Sequence, residues 1–255
     1  MEYHDVIEGK DFDASGFSGA EAATYKLDLT TFTAHLRAIQ ALGAPAPRGV
    51  LDSVDGREGT AMLLTFDDGG RSASSPIADL LDELGWIGHF FATTGRIGTE
   101  GFVERDEIVD LHRRGHVIGT HSVSHPVRMS SCSDRELARE WSESVDCLST
   151  ILGTAVITGS LPGGYYSPRV AAAAAAAGIR VLFTSEPTLR PHVVESCLVL
   201  GRFTLRRNSS AAYAAALAAG RLWPRLHQWT AWNVKKAAKR VGGPAYLQVR
   251  KRLLR

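Results

Sequence analysis

Short apolar runs alternate with amphipathic stretches along most of this chain, and the alternation predicts strands separated by helices. The first strong run, Ala61 to Phe66, reads as a buried strand. Ser75-Pro76 starts a helix through Leu84 that Gly85 stops, and His89 to Thr93 reads as the next strand. Glu104 to Arg114 makes a helix ended by Gly115, and His116 to Thr120 a short strand. Asp134 to Leu152 is helical by period; Ser133 and Glu136 have the spacing of a capping box, and Gly153 ends it. Val156 to Gly159, Arg180 to Thr184 and Leu198 to Leu205 read as strands, with an alanine-rich helix from Ser167-Pro168 to Ala177. This rhythm predicts βαβ units in a mainly parallel sheet or barrel. Upstream, residues 1–60 are polar, with one helix expected from Leu29 to Leu42, Thr30 or Thr31 near its start. The chain divides into an N-terminal flank (1–60), a catalytic barrel (61–205) and a C-terminal extension (206–255).

At 255 residues and 44% hydrophobic content, a single α/β domain fits. The start, Met1 to Val6, has no basic or apolar leader character, and the longest apolar tract, Val170 to Ala177, is too short to span a bilayer. The expectation is a cytoplasmic protein, neither exported nor membrane-spanning. Cys132, Cys147 and Cys197 are odd in number and widely spaced, which argues against both a disulfide framework and a thiolate zinc site.

Two features change the picture. The run from Ala61 ends in Asp67-Asp68-Gly69-Gly70, so two carboxylates sit where the glycines permit a sharp turn at a strand's carboxyl end. Taken alone, this is a strand followed by an Asp-Gly turn. The later strand runs into His121-Ser122-Val123-Ser124-His125. Histidines four apart can face one metal, and they occupy the same predicted sheet edge as the carboxylates. That coincidence favours a metal-dependent hydrolytic site. Adjacent carboxylates would repel each other without a cation between them and the histidines.

Thr65-Phe66-Asp67-Asp68-Gly69 and His121-Ser122-Val123-Ser124-His125 resemble the motifs of the polysaccharide deacetylases with the NodB homology domain, carbohydrate esterase family 4. The resemblance covers roughly residues 61 to 205. It implies a distorted (β/α) barrel, an Asp-His-His divalent metal site and hydrolysis of an acetyl group from a sugar. By position, Asp68, His121 and His125 would be ligands and Asp67 the general base. Zinc is the default metal, with Co2+, Ni2+ or Fe2+ accepted by the same donors. An open three-ligand site leaves a position for water, which zinc acidifies to a pKa of about 7.

The third motif departs from the family. Where an arginine is usual, the chain reads Ser160-Leu161-Pro162-Gly163-Gly164, and Arg202 on a later strand is the candidate replacement. The alternative for Arg202 is an ordinary surface charge. The Gly163 N–H is the expected oxyanion donor, Pro162 lines the substrate site, and Tyr165 and Tyr166 either stack on a sugar ring or form a plain rim. The family's late-strand histidine acid is also missing; the aligned strand reads Val199-Leu200-Gly201-Arg202, and His192 is the nearest alternative.

Charge is unevenly distributed. From Ser196 to the end there are 13 Lys and Arg and no acid, whereas residues 1–195 hold 27 acids and 16 bases. From Leu222 to Val241 a helical wheel gathers Leu222, Leu226, Val234, Ala237 and Val241 on one side and Arg225, Lys235, Lys236 and Lys239 on the other, with Trp223, Trp229 and Trp232 along the stretch. Such a helix either lies on an anionic membrane surface, here the inner face, or packs on the barrel with a solvated basic face. No nucleic-acid motif accompanies the charge. The expected substrate is an acetylated sugar or glycan precursor. A deformylase or O-acetyl esterase on the same metal site, and a carbohydrate-binding homologue that has lost turnover, are the alternatives.

Overall fold

The computed structural model describes residues 1–51, 62–234 and 236. Its frame is a curled sheet of eight strands. Along the chain these are β1 (Glu2–Tyr3), β4 (Leu64–Phe66), β5 (Gly88–Ala92), β6 (Val117–Thr120), β7 (Thr158–Ser160), β8 (Val181–Phe183), β9 (His192–Val194) and β10 (Cys197–Leu200). Their spatial order is β1-β4-β5-β6-β7-β8-β10-β9. All neighbours are parallel except the β9–β10 hairpin. The two ends of the curl meet through Glu2 and Thr204, which bridge in parallel, with Leu205 N–H donating to Glu2 O at 2.8 Å. This is the expected distorted (β/α) barrel. A side pair, β2 (Val6–Ile7) and β3 (Leu27–Asp28), lies outside the main sheet.

The connecting helices are α1 (Ala20–Ala23), α2 (Leu29–Gln40), α3 (Ile77–Glu83), α4 (Arg105–Arg113), α5 (Asp134–Leu152), α6 (Pro168–Ala176) and α7 (Ala211–Ala218); residues 222–234 form a further helix, α8. α5 has the expected bounds and reciprocal capping box, and Gly153 closes it at φ 68°. The cap of α2 is Asp28, whose carboxylate accepts the Thr31 N–H, so Thr30 and Thr31 lie inside the first turn. The core has two main parts. Tyr3, Leu64, Phe66 and Phe90 pack beneath α2, α3 and α4, and Trp141 of α5 and Val170 of α6 pack with Leu161 and Leu182.

Three features depart from the sequence expectations. The segment read as a flank supplies β1, a strand of the main sheet registered against β4 through Glu2–Thr65 and Tyr3–Phe66. The strand expected to reach Leu205 ends at Leu200, and Gly201 to Phe203 continue as irregular chain toward the Glu2 bridge. β9 and α7 were not expected, because β9 is short and largely exposed and α7 is an almost uniformly apolar alanine run without periodic contrast. The wheel positions Ala237 and Val241 lie outside the described residues.

Candidate metal centre and active site

Strand register brings the site residues to one edge. Phe66 pairs with Phe90, Ala92 with Thr120, Thr120 with Gly159 and Ser160 with Phe183, so the residues just beyond these positions converge. Asp67 leaves β4 with its N–H on Tyr3 O at 3.0 Å. Asp68 then takes φ 76° and Gly69 φ 77°, and a Cβ at residue 69 would meet the Ala92 Cα at 2.9 Å. The turn therefore requires glycine at 69 and turns the Asp68 side chain away from Asp67.

The histidine loop is held just as firmly. Ser122 and His125 both have positive φ, at 67° and 55°. Glu140 of α5, buried, accepts the N–H groups of Val123 and Ser124 at 3.0 and 2.8 Å and the Ser124 hydroxyl at 2.7 Å. Thr120 Oγ1 accepts the Ser122 N–H, and Ser122 Oγ accepts that of His125. These bonds offset the cost of left-handed backbone at non-glycine positions.

Asp68 Oδ1 ends 3.4 Å from the Nε2 atoms of both His121 and His125. The three ligand atoms lie within 4.8 Å of one another. His121 Nδ1 faces the Ser160 carbonyl at 2.9 Å; a carbonyl only accepts, so Nδ1 carries a proton and Nε2 faces Asp68. Burial, with His121 alongside, lowers the His125 pKa to about 4, leaving a neutral ligand nitrogen. For His121, burial opposes charge, but the Asp67 and Asp68 carboxylates outweigh it and raise the pKa. Burial would raise Asp68, yet hydrogen bonding from His121 and the charges of His4 and His125 hold it low. One hard oxygen and two imidazole nitrogens converging on a common point fit a divalent cation.

Arg202 reaches Asp67 from the irregular chain that follows β10. Its Nη1 and Nη2 donate to Asp67 Oδ1 and Oδ2 at 2.7 and 2.8 Å. Nη2 also donates to Ser160 Oγ, which in turn donates to Asp67 Oδ2 at 2.9 Å; Nη1 reaches Thr65 Oγ1 and Nε the Thr184 carbonyl. Arg202 is only 3% exposed, so the reading of it as a surface charge is excluded. The small serine at 160 leaves the space that its guanidinium fills. Burial alone would raise the Asp67 pKa, but Arg202 and then His121 drive it well below the usual carboxylate range.

The remaining sequence candidates divide. Pro162 is buried in the turn Pro162–Gly164, where Gly163 takes φ 66° with its Cα side closed by the Val127 carbonyl. Tyr165 is half-buried with the Arg128 guanidinium 4.9 Å from its ring centroid. Tyr166 donates or accepts one hydrogen bond with His192 Nε2 at 2.6 Å, which engages His192 on the exposed edge strand β9. His192 is thereby held away from the carboxylates as the candidate acid, and His4 lies beside them instead. Ligand atoms of Glu2, His4 and Asp67 lie within 4.8 Å of one another, and the His4 charge acts on both Asp67 and Asp68. His4 follows a two-residue strand that no periodicity reveals. Phe17, also unforeseen, sets its ring 4.8 Å from that of His125 and walls the site with Phe102 and Arg96.

Residues 55–182 match the sequence profile of the family described as polysaccharide deacetylase. Among solved structures, the chain is similar to the Streptococcus pyogenes deacetylase PplD, determined in complex with acetate, at 19% identity and TM-score 0.68, covering 85% of this chain and 95% of that one. BC0361, a polysaccharide deacetylase from Bacillus cereus, aligns at 16% identity and TM-score 0.69, covering 86% and 67%. IcaB from Ammonifex degensii aligns at 19% identity and TM-score 0.63, covering 84% and 97%. At these identities the structural likeness speaks for the fold. No curated protein sequence matches.

Proposed function

The chain belongs to the polysaccharide deacetylase family, and from that premise we propose a metal-dependent hydrolase that removes an acetyl group from a sugar of a polysaccharide or glycan precursor. The observation that carries this reading is the placement of Asp68 between two histidine nitrogens at 3.4 Å each, beside an Asp67 clamped by Arg202. A divalent ion held by Asp68, His121 and His125, Zn2+ or alternatively Co2+, Ni2+ or Fe2+, supplies Lewis acidity toward water and the acetyl carbonyl.

The chain's own groups account for the proton traffic. Asp67, ionised at neutral pH and fixed by Arg202 and Ser160, accepts the proton of the attacking water at its remaining lone pairs. His4, partly exposed and beside Asp67, delivers a proton to the departing amine nitrogen, in place of a late-strand histidine. The Gly163 N–H steadies the developing oxyanion. Phe17 and Tyr165 offer apolar faces for the sugar, and Pro162 shapes the turn between them.

The intact base and ligand set favour an enzyme over a binding protein that has lost turnover. Product analysis separates the remaining chemistries: acetylated amino sugars are expected to release acetate with appearance of a free amine. Turnover of the formylated sugar alone, or of O-acetyl esters alone, would reject the N-deacetylase reading.

A further inference from the structure

Helix α8 turns several large apolar side chains away from the barrel. Leu222, Trp223, Leu226, Trp229 and Val234 are 69, 69, 48, 51 and 68% exposed. At about 100° per residue these positions fall on one side of the helix, with Thr230 and Asn233 among them. The side facing the barrel is mixed, with Pro224 buried beside Arg225, Gln228 and Trp232. Gln228 exchanges two hydrogen bonds with the Thr204 backbone, at 3.0 and 2.9 Å, and Arg225 lies 5.5 Å from the Phe203 ring centroid. Trp232, on that same side, approaches Gly164. Solvated helices more often turn such residues inward, and an exposed apolar cluster of this kind marks an interaction surface.

The charge of the C-terminal sequence bears on the occupant of this surface. The chain from Ser196 onward has 13 Lys and Arg and no acid, and eight of those bases fall between residues 235 and 255. A second copy would bring together two chains with this basic C-terminal sequence, against their mutual repulsion. Tryptophan and leucine beside a concentrated positive charge match an anionic phospholipid interface, where indole rings settle at headgroup level. We propose that α8 docks the protein on an anionic phospholipid surface through Leu222, Trp223, Leu226 and Trp229.

Docking there bears on the catalytic pocket. Lys236 of the same helical stretch pairs with Glu186 at 3.0 Å, and the Glu186 carbonyl accepts the Arg202 N–H. Trp232 sits beside the turn that carries Gly163. Resting on the deacetylase reading above, docking through α8 sets the catalytic pocket close to the phospholipid surface.

The test is co-sedimentation of the full chain with phosphatidylglycerol–phosphatidylcholine vesicles and with phosphatidylcholine alone. Binding to the anionic vesicles only is expected, weakened by salt. The variant Leu226→Ser/Trp229→Ser should lose about tenfold or more of that partitioning, while hydrolysing a soluble acetylated chito-oligosaccharide at the wild-type rate. Wild-type protein that stays in solution with anionic vesicles overturns the docking, as does a wild-type dimer that the double substitution dissociates. So does equal vesicle binding by the variant, which would follow if the chain's own tail covered the cluster. Vesicle binding without turnover of any acetylated sugar would sink the deacetylase reading and leave docking standing.

Discussion

The Arg202 guanidinium grips both carboxylate oxygens of Asp67, at 2.7 and 2.8 Å, from a part of the chain 135 residues away. Both groups are nearly inaccessible to solvent, so the pair is geometrically rigid and costly to break. Removing the cation strands a buried carboxylate: Arg202→Ala is expected to lower unfolding stability by about 3–5 kcal/mol. Arg202→Lys keeps the charge but cannot form the paired contact, and should reduce kcat by about 10²-fold while the fold persists. Urea melts and steady-state rates measured together decide it. A lysine variant with wild-type kcat would remove Arg202 from the positioning of Asp67.

His4 makes a different prediction because a general acid matters most for a poor leaving group. His4→Asn should slow amide hydrolysis by about 10²–10⁴-fold. The same variant should act on 4-nitrophenyl acetate nearly as fast as wild type, since nitrophenolate leaves without protonation. Equal losses on both substrates would assign His4 a structural role.

Glu140 touches none of the proposed ligands, yet it holds the loop between them through Val123 and Ser124. Glu140→Ala should weaken metal binding by about 10–100-fold, the scale seen when outer supports of ligands are removed. Titration of the stripped protein with Co2+, followed by visible absorption, reports it. Unaltered affinity would mean the loop holds its shape without this carboxylate.

The pH dependence of stability has a specific source in His89. Its Nδ1–H donates to Leu64 O and its Nε2 accepts the Val50 N–H, so it is buried as the neutral ring. Burial lowers its pKa to about 4. Since the folded value lies below the unfolded one of about 6.5, stability from this group is complete above about pH 6.5 and drains away as pH falls toward 4. The full effect is about 3 kcal/mol. His89→Gln, measured by urea unfolding across that interval without metal, should flatten the slope. An unchanged slope would assign acid sensitivity elsewhere.

Much of this architecture was legible because it is written in local signals. α5 could be bounded from Ser133, Glu136 and Gly153 because a cap, a box and a left-handed stop act within a few residues. The convergence of Asp68, His121 and His125 could be expected because strand ends in a parallel sheet share an edge. His4 could not be, since it owes its place to a two-residue strand whose partners, Thr65 and Thr204, are distant in sequence. The orientation of α8 was also hidden. A wheel reports which residues share a side, and only the contacts of Gln228 and Trp232 reveal which side meets the barrel.

The central claim is that Asp68, His121 and His125 hold the ion on which acetyl hydrolysis depends. Acetate release from an N-acetylated chito-oligosaccharide, followed in chelator-stripped protein before and after addition of Zn2+ or Co2+, addresses it directly. The account predicts no release from stripped protein, recovery on adding the ion, and loss of both ion binding and recovery in His125→Ala. Sustained acetate release by the stripped protein, or full activity in His125→Ala, would contradict it.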